Sequence, residues 1–174
     1  MNLATEAEVG RLLMLVPEWR AEQARQYTHV FGSFCCLKSW AMLQELVPEA
    51  ATESVRLGEQ GKPYFTKLPL YFSISHCKNG IAVLVSEREC GVDIESLDRK
   101  VSKALMEHTM SEEELHEIDS QPEQFIALWT RKEALLKRRG TGLTDELKEA
   151  LRDASEKIET RIEREKGYAY SICE

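Results

Sequence analysis

Gly91-Val92-Asp93-Ile94-Glu95 is the stretch around which this chain is organised. Valine and isoleucine on either side of Asp93 predict a β-strand, and the glycine before them permits close approach of another backbone. Side chains alternate in direction along a strand, so Val92 and Ile94 face one way and Asp93 and Glu95 the other. The apolar pair can enter a core while two carboxylates point at one spot beside it. Two like charges held together repel unless one is protonated or a cation sits between them. A hard divalent ion such as magnesium suits carboxylate oxygens. On these five residues alone, a half-buried strand with a solvated acidic face accounts for the pattern too.

Upstream, Leu70 to His76 alternates with Leu70, Phe72 and Ile74 on one face and Ser73 and Ser75 on the other. Asn79-Gly80 predicts a tight hairpin, with Ile81 to Val85 as the returning strand. With the Asp93 strand these make a three-stranded antiparallel meander. Before it, residues 5–15 have helical spacing up to Pro17. A longer helix is expected from about Glu22 to Glu45, with Val30, Phe34, Leu37, Ala41 and Leu46 as its apolar stripe. Gly58 to Pro63 reads as a turn.

Downstream, Ser111 and Glu114 match a capping box. A strong helix runs from about Pro122 to Arg139, with Phe125, Leu128, Trp129, Leu135 and Leu136 on its core face and Gly140 as its C-cap. Residues 144–152 add one more helical piece. Segments beginning at Ile158 and Tyr168 read as closing strands around a turn at Gly167. The expected class is α+β, as two small lobes in one chain that share an interface, each an antiparallel sheet packed with helices. The boundary falls near residues 86–90, giving lobes 1–88 and 89–174.

Composition narrows the function. The chain has 174 residues, 43% hydrophobic and 30% charged, as in ordinary globular proteins. No apolar run approaches the roughly 20 residues that span a bilayer, and no secretory leader is read, so the expected compartment is the cytoplasm. A net charge of −7 argues against nucleic-acid binding. Five cysteines without a C-x-x-C pattern suggest reduced thiols rather than a disulfide framework or a zinc site. Basic spots at Arg99, Lys100 and Lys103, and at Arg131 to Arg139, are where an anionic partner would dock.

The second chemical segment is Trp129-Thr130-Arg131-Lys132-Glu133-Ala134-Leu135-Leu136-Lys137. Trp129, Glu133 and Lys137 are four apart and share one helix face, a spacing that by itself also describes an ordinary ion pair. Together, Gly-x-Asp-x-Glu and Trp-x-x-Lys-Glu-x-x-x-Lys resemble the signature of the 4′-phosphopantetheinyl transferase family. Gly61-Lys62-Pro63 and Phe72-Ser73-Ile74-Ser75-His76 stand in the order that family shows, so the resemblance covers about residues 61–142. These elements point to the larger Sfp-type members, whose single chain folds as a pseudo-dimer of two similar α+β lobes; the resemblance implies an active site between the lobes, and a monomer would suffice.

The resemblance implies transfer of the phosphopantetheine arm of coenzyme A to a serine of an apo acyl or peptidyl carrier protein, releasing adenosine 3′,5′-bisphosphate. It implies Asp93, Glu95 and Glu133 as magnesium ligands, Glu133 as general base, and Lys137 to stabilise the charge of the diphosphate or to protonate the leaving oxygen. Lys62, Ser75 and His76, and more weakly Lys132 and Lys38, become coenzyme A contacts. Carrier docking is expected at Arg99, Lys100 and Lys103 with Val101, Leu105 and Met106. A catalytically silent module that binds coenzyme A or a carrier protein is the alternative. Neither a membrane nor a nucleic acid is an expected partner.

Overall fold

A computed structural model describes residues 4–118, 121–142, 145–152 and 154–174. In order, its elements are α1 (Glu6–Leu13), α2 (Glu18–Arg25), α3 (Val30–Leu46), β1 (Val55–Leu57), β2 (Pro63–Phe65), β3 (Tyr71–Cys77), β4 (Gly80–Ser86) and β5 (Gly91–Ser96). There follow α4 (Lys103–Thr109), α5 (Glu112–Ile118), α6 (Pro122–Arg139), β6 (Ile158–Glu163) and β7 (Tyr168–Cys173), with short 3-10 turns at Pro48–Ala51 and Asp145–Glu149. The α+β class is found.

The chain divides into two compact units, Met1–Val55 with Phe65–Pro69, and Arg56–Tyr64 with Leu70–Glu174. This division differs from the split at residue 88 expected from the sequence. The reason is that β3 is bonded to β5: Ser73 Oγ accepts from the Val92 N–H at 3.0 Å, and Ser75 Oγ from the Ile94 N–H at 3.4 Å.

The first unit is largely helical. Thr5 caps α1 by accepting the Glu8 N–H at 3.2 Å. The single helix expected over 22–45 is two helices, α2 and α3, separated at residues 26–29. Tyr27 explains the break: its ring lies on Gly32, where a Cβ would come within 2.5 Å of the ring. Leu12, Phe34, Leu37, Trp40 and Leu43 fill the core, whereas Val30 and Leu46 of the expected stripe are exposed.

The second unit carries the chemistry. β3 and β4 form an antiparallel hairpin in which Cys77 pairs with Gly80, so its turn is Lys78-Asn79, one residue earlier than expected. β5 does not extend this hairpin. It pairs with β7 in an antiparallel sheet of order β5-β7-β6, and serine hydroxyls replace a backbone ladder between β3 and β5.

The expected capping box is present. Ser111 Oγ accepts from the Glu114 N–H at 3.2 Å, and Glu114 Oε2 from the Ser111 N–H at 2.8 Å. α6 ends at Gly140 in the left-handed conformation, φ 68°. The segment 144–152 forms a 3-10 turn over Asp145–Glu149, and Thr144 lies outside the described residues. The five cysteines are free thiols, four of them buried. Phe125, Ile126, Leu128, Trp129 and Leu136 of α6 pack with Met110, Ile118 and Ala169 into one core.

Candidate active site

Two elements build the site, and one glycine lets them meet. A Cβ added at Gly91 would lie 1.9 Å from the Ala134 carbonyl oxygen and 2.5 Å from the Arg138 nitrogen. Strand β5 therefore crosses helix α6 backbone to backbone, which only a residue without a side chain permits. The crossing sets Asp93, two residues on, against Lys137, one helical turn beyond Glu133.

Asp93 is 4% exposed. Its Oδ1 accepts from Lys137 Nζ at 2.6 Å and from Ser75 Oγ at 2.7 Å. Lys137 Nζ also donates to Ser75 Oγ at 2.9 Å. The serine hydroxyl thus gives its one proton to Asp93 and accepts from Lys137 and from the Ile94 N–H, which uses its whole capacity. Asp93 Oδ2 is buried and has no hydrogen-bond partner among the described residues.

Glu95 lies two residues along the same strand face, in an ion pair with Arg99. The Arg99 guanidinium also rests on the Trp129 ring, 5.0 Å from its centre. Burial pushes the Glu95 carboxyl up, and the Asp93 charge adds to this, while Arg99 opposes it. Glu133 is likewise pushed up, first by burial, then by Asp93, with Lys137 opposing and Glu95 adding further. The three acids therefore act on one another electrostatically.

A cleft of about 320 Å³ opens at this corner. It is lined by the turn from Gln60 to Pro63, by Phe72 to Ile74, by Glu133, Leu136 and Lys137, and by Gly140 and Gly142. Lys62 lines it, half-buried, with Nζ donating to the Arg138 carbonyl at 2.9 Å and the Cys90 carbonyl at 3.2 Å. It thereby satisfies one of the last carbonyls of α6, which lack helical partners, and retains a third ammonium proton.

Other sequence-based expectations find different places. Ser75 is buried beside Asp93 and does not line the cleft. Its hydroxyl donates to Asp93. Lys132 lies within α6. It is 0% exposed, with Nζ donating to Glu114 Oε2 (2.6 Å) and to the carbonyls of Thr109 (2.8 Å), Leu147 (2.8 Å) and Lys148 (3.1 Å). Its ammonium is fully committed to pinning α6 to the segments around it. His76 is exposed at the end of β3 and is not a lining residue of the cleft. Lys38 lies on α3 in the first unit, 3.9 Å from Glu45. Val101, Leu105 and Met106 are partly buried, packed against the core cluster.

Asp93, Glu95 and Glu133 offer the oxygen donors that a hard divalent cation takes, and Asp93 Oδ2 is buried without a hydrogen-bond partner among the described residues. Among the described residues, however, no three His, Cys, Asp or Glu side chains are gathered closely enough to hold an ion unaided. Lys137 pairs with Asp93 and Arg99 with Glu95. Arg99 is the residue that sequence reasoning placed in a docking patch and the structure places at the site. The i, i+4 interval from Glu95 to Arg99 was the available signal.

Residues 89–173 match the family model of the 4′-phosphopantetheinyl transferase superfamily. The matched stretch is just under half of the chain. It is 42% identical over 93 residues to 4′-phosphopantetheinyl transferase AcpT of Escherichia coli, a match covering 48% of this chain and 47% of that one. Against AcpT of Salmonella typhimurium the identity is 44% over 91 residues, with the same coverage of 48% and 47%. The 4′-phosphopantetheinyl transferase of Bacillus subtilis is 28% identical over 149 residues, covering 79% of this chain and 66% of that protein. The chain thus spans about half the length of the AcpT relatives it matches.

Proposed function

We propose that this chain is a short Sfp-type 4′-phosphopantetheinyl transferase. It moves the phosphopantetheine arm from coenzyme A to a serine hydroxyl of an apo acyl or peptidyl carrier protein and releases adenosine 3′,5′-bisphosphate. The observation that carries this reading is the β5–α6 crossing at Gly91, which brings the Asp93 carboxylate to 2.6 Å from Lys137 beside a cleft that Glu133 lines. The superfamily match over the same residues supports it.

The reaction forms a bond from the carrier serine oxygen to the pantetheine-bearing phosphorus and breaks the bridge to the nucleotide phosphate. Negative oxygens around that phosphorus repel the nucleophile, and charge grows on the leaving phosphate. Asp93, Glu95 and Glu133 would hold a magnesium ion, whose charge, when bound, offsets both effects. Glu133, its carboxyl pushed up by burial and neighbouring acids, is suited to take the serine proton. Lys137 places a positive charge at the mouth of the cleft to stabilise or protonate the leaving oxygen. Lys62 and His76 are proposed for the nucleotide end of coenzyme A, and Lys38 for a further basic contact. The carrier would dock near Lys100 and Lys103, its acidic helices meeting basic charge on an otherwise acidic protein. Charge reversal at both lysines should raise the carrier Michaelis constant at low salt, and an unchanged constant would rule that docking site out.

No helix among the described residues is long and apolar enough to cross a membrane. The cytoplasm is the proposed compartment and a monomer the proposed state. Incubation with coenzyme A, magnesium and an apo carrier protein, followed by weighing the carrier, tests the reading. A gain of the phosphopantetheine mass supports it. Coenzyme A binding without that gain favours the catalytically silent module, and if neither is seen the activity is unsupported.

A further inference from the structure

We infer that Lys62 is a positioning residue for transfer: its ammonium ties together the two backbones that cross at Gly91, and so holds Asp93 and Lys137 in register. The inference rests on the transferase reading above and adds a second duty to the coenzyme contact proposed for the same side chain. Lys62 Nζ donates to the Arg138 carbonyl at 2.9 Å and to the Cys90 carbonyl at 3.2 Å. Cys90 is the residue before Gly91, and Arg138 is the residue whose backbone nitrogen a Cβ at Gly91 would approach to 2.5 Å. One ammonium therefore bonds to the strand side and to the helix side of the same crossing. Asp93 lies three residues beyond the first of these backbones' anchors, and Lys137 immediately precedes the second.

The lysine is itself held in place. Its carbonyl accepts from the Gly58 N–H at 2.8 Å, and the Gly61 N–H bonds to the Gly58 carbonyl at 2.9 Å, which closes the turn that carries it. Gly61 supplies the left-handed backbone that this turn needs, φ 82°. The lysine stem runs over Gly140, the cap of α6, where a Cβ would meet Lys62 Cδ at 3.5 Å. Among the described residues the ammonium bonds to two backbone oxygens and to no carboxylate, so it fixes where strand and helix run and not a side chain of either. Gly91 permits the approach of β5 to α6, and Lys62 supplies bonds across it. The 2.6 Å contact from Lys137 to Asp93 depends on that spacing, because each of the two sits on one of the tied backbones.

Lys62→Met keeps most of the stem and removes the donors. With the mass gain of an apo carrier protein as the assay, its kcat should fall about tenfold or more, since a shift of reacting groups by about 1 Å costs on the order of 10²-fold. Lys62→Arg, which keeps a charged donor, should recover most of that loss. Because the effect runs through Lys137, adding Lys62→Met to a Lys137→Met background should slow transfer by less than about twofold. Amide hydrogen exchange gives a readout without turnover: the Val92 and Ile94 amides of β5 should exchange faster in Lys62→Met than in the wild type. Should Lys62→Met fail to fold by circular dichroism, Lys62→Gln, whose side chain is shorter, replaces it with the same expectations. An unchanged kcat with a raised Michaelis constant for coenzyme A would make Lys62 a coenzyme contact alone and refute the positioning role, while the transferase reading stands. A full tenfold loss in the Lys137→Met background would refute it too. If the wild type adds no mass to the carrier, the transferase reading fails and takes this inference with it.

Discussion

Gly91→Ala is the smallest change that should separate the two halves of the site. The new methyl carbon would lie 1.9 Å from the Ala134 carbonyl oxygen, against the 3.4 Å at which ordinary contact begins. Both nearest atoms belong to the backbone of α6, so no side-chain rotation relieves the clash. Strand and helix must part by about 1.5 Å. The Lys137–Asp93 contact, 2.6 Å at present, would then stretch towards 4 Å and cease to be a hydrogen bond. Overpacking of a filled interior costs about 1–3 kcal/mol, and here the backbone itself must move. Misplacement of reacting groups by about 1 Å costs on the order of 10²-fold in rate. Urea unfolding measures the first effect and the mass gain of an apo carrier protein the second. A variant within about 0.5 kcal/mol of the wild type and within twofold of its transfer rate would show that the crossing does not position the site.

Asp93→Ala or Glu133→Ala should each lower transfer on the order of 10² or more with the fold intact by circular dichroism; near-normal rates for both would refute the assigned roles. Lys132→Met should cost about 3–5 kcal/mol in urea, because it leaves Glu114 and three carbonyls without their shared donor, and a loss under 1 kcal/mol would contradict the pin. Glu133→Gln should be more stable than the wild type at pH 8, since a carboxyl held above its ordinary value of 4.5 favours the folded state only while protonated. That advantage should shrink as pH falls through its raised folded value towards 4.5, and a pH-independent difference in urea midpoint would count against it. Glu156, held at about 2 chiefly by its hydrogen bond to Arg139, contributes stability above about pH 4.5 that is lost as pH falls towards 2. The stability deficit of Glu156→Gln at pH 7 should therefore vanish near pH 2, and a deficit that persists there would locate the effect elsewhere.

Local chemistry was readable wherever it was decided within a few residues. The Ser111–Glu114 box, the Gly140 cap and the closing strands around Gly167 all form as the sequence predicts, because each depends on neighbours in the chain. The glycine of Gly-x-Asp-x-Glu was legible as a point of close approach, though not the identity of the approaching backbone. Partners distant in sequence were not legible. Alternation shows that β5 is a strand but not that its ladder neighbour is β7, more than seventy residues away. The break at Tyr27 was missed because the apolar stripe begins only at Val30, beyond it, so the spacing did not mark where the first helix stops. The bond from Ser75 to Asp93 was not legible for a similar reason: a hydroxyl at a strand's end can serve a ligand or a neighbouring strand, and alternation does not say where Asp93 will lie.

Helix α6 shows how far periodicity could have been pressed. Phe125, Leu128, Trp129, Leu135 and Leu136 define a buried stripe, and position 132 falls in its gap, three or four residues from members on either side. A lysine there must be buried and must find acceptors, which it does in the Thr109, Leu147 and Lys148 carbonyls and in Glu114. Position 137, one turn beyond Glu133, leaves the stripe and reaches the cleft edge, where an ammonium can meet both Asp93 and an incoming anion. Two lysines five residues apart in one motif thus divide the work by helical angle alone. The first fixes the roll of α6, and that roll brings Glu133 and Lys137 to the acids of β5.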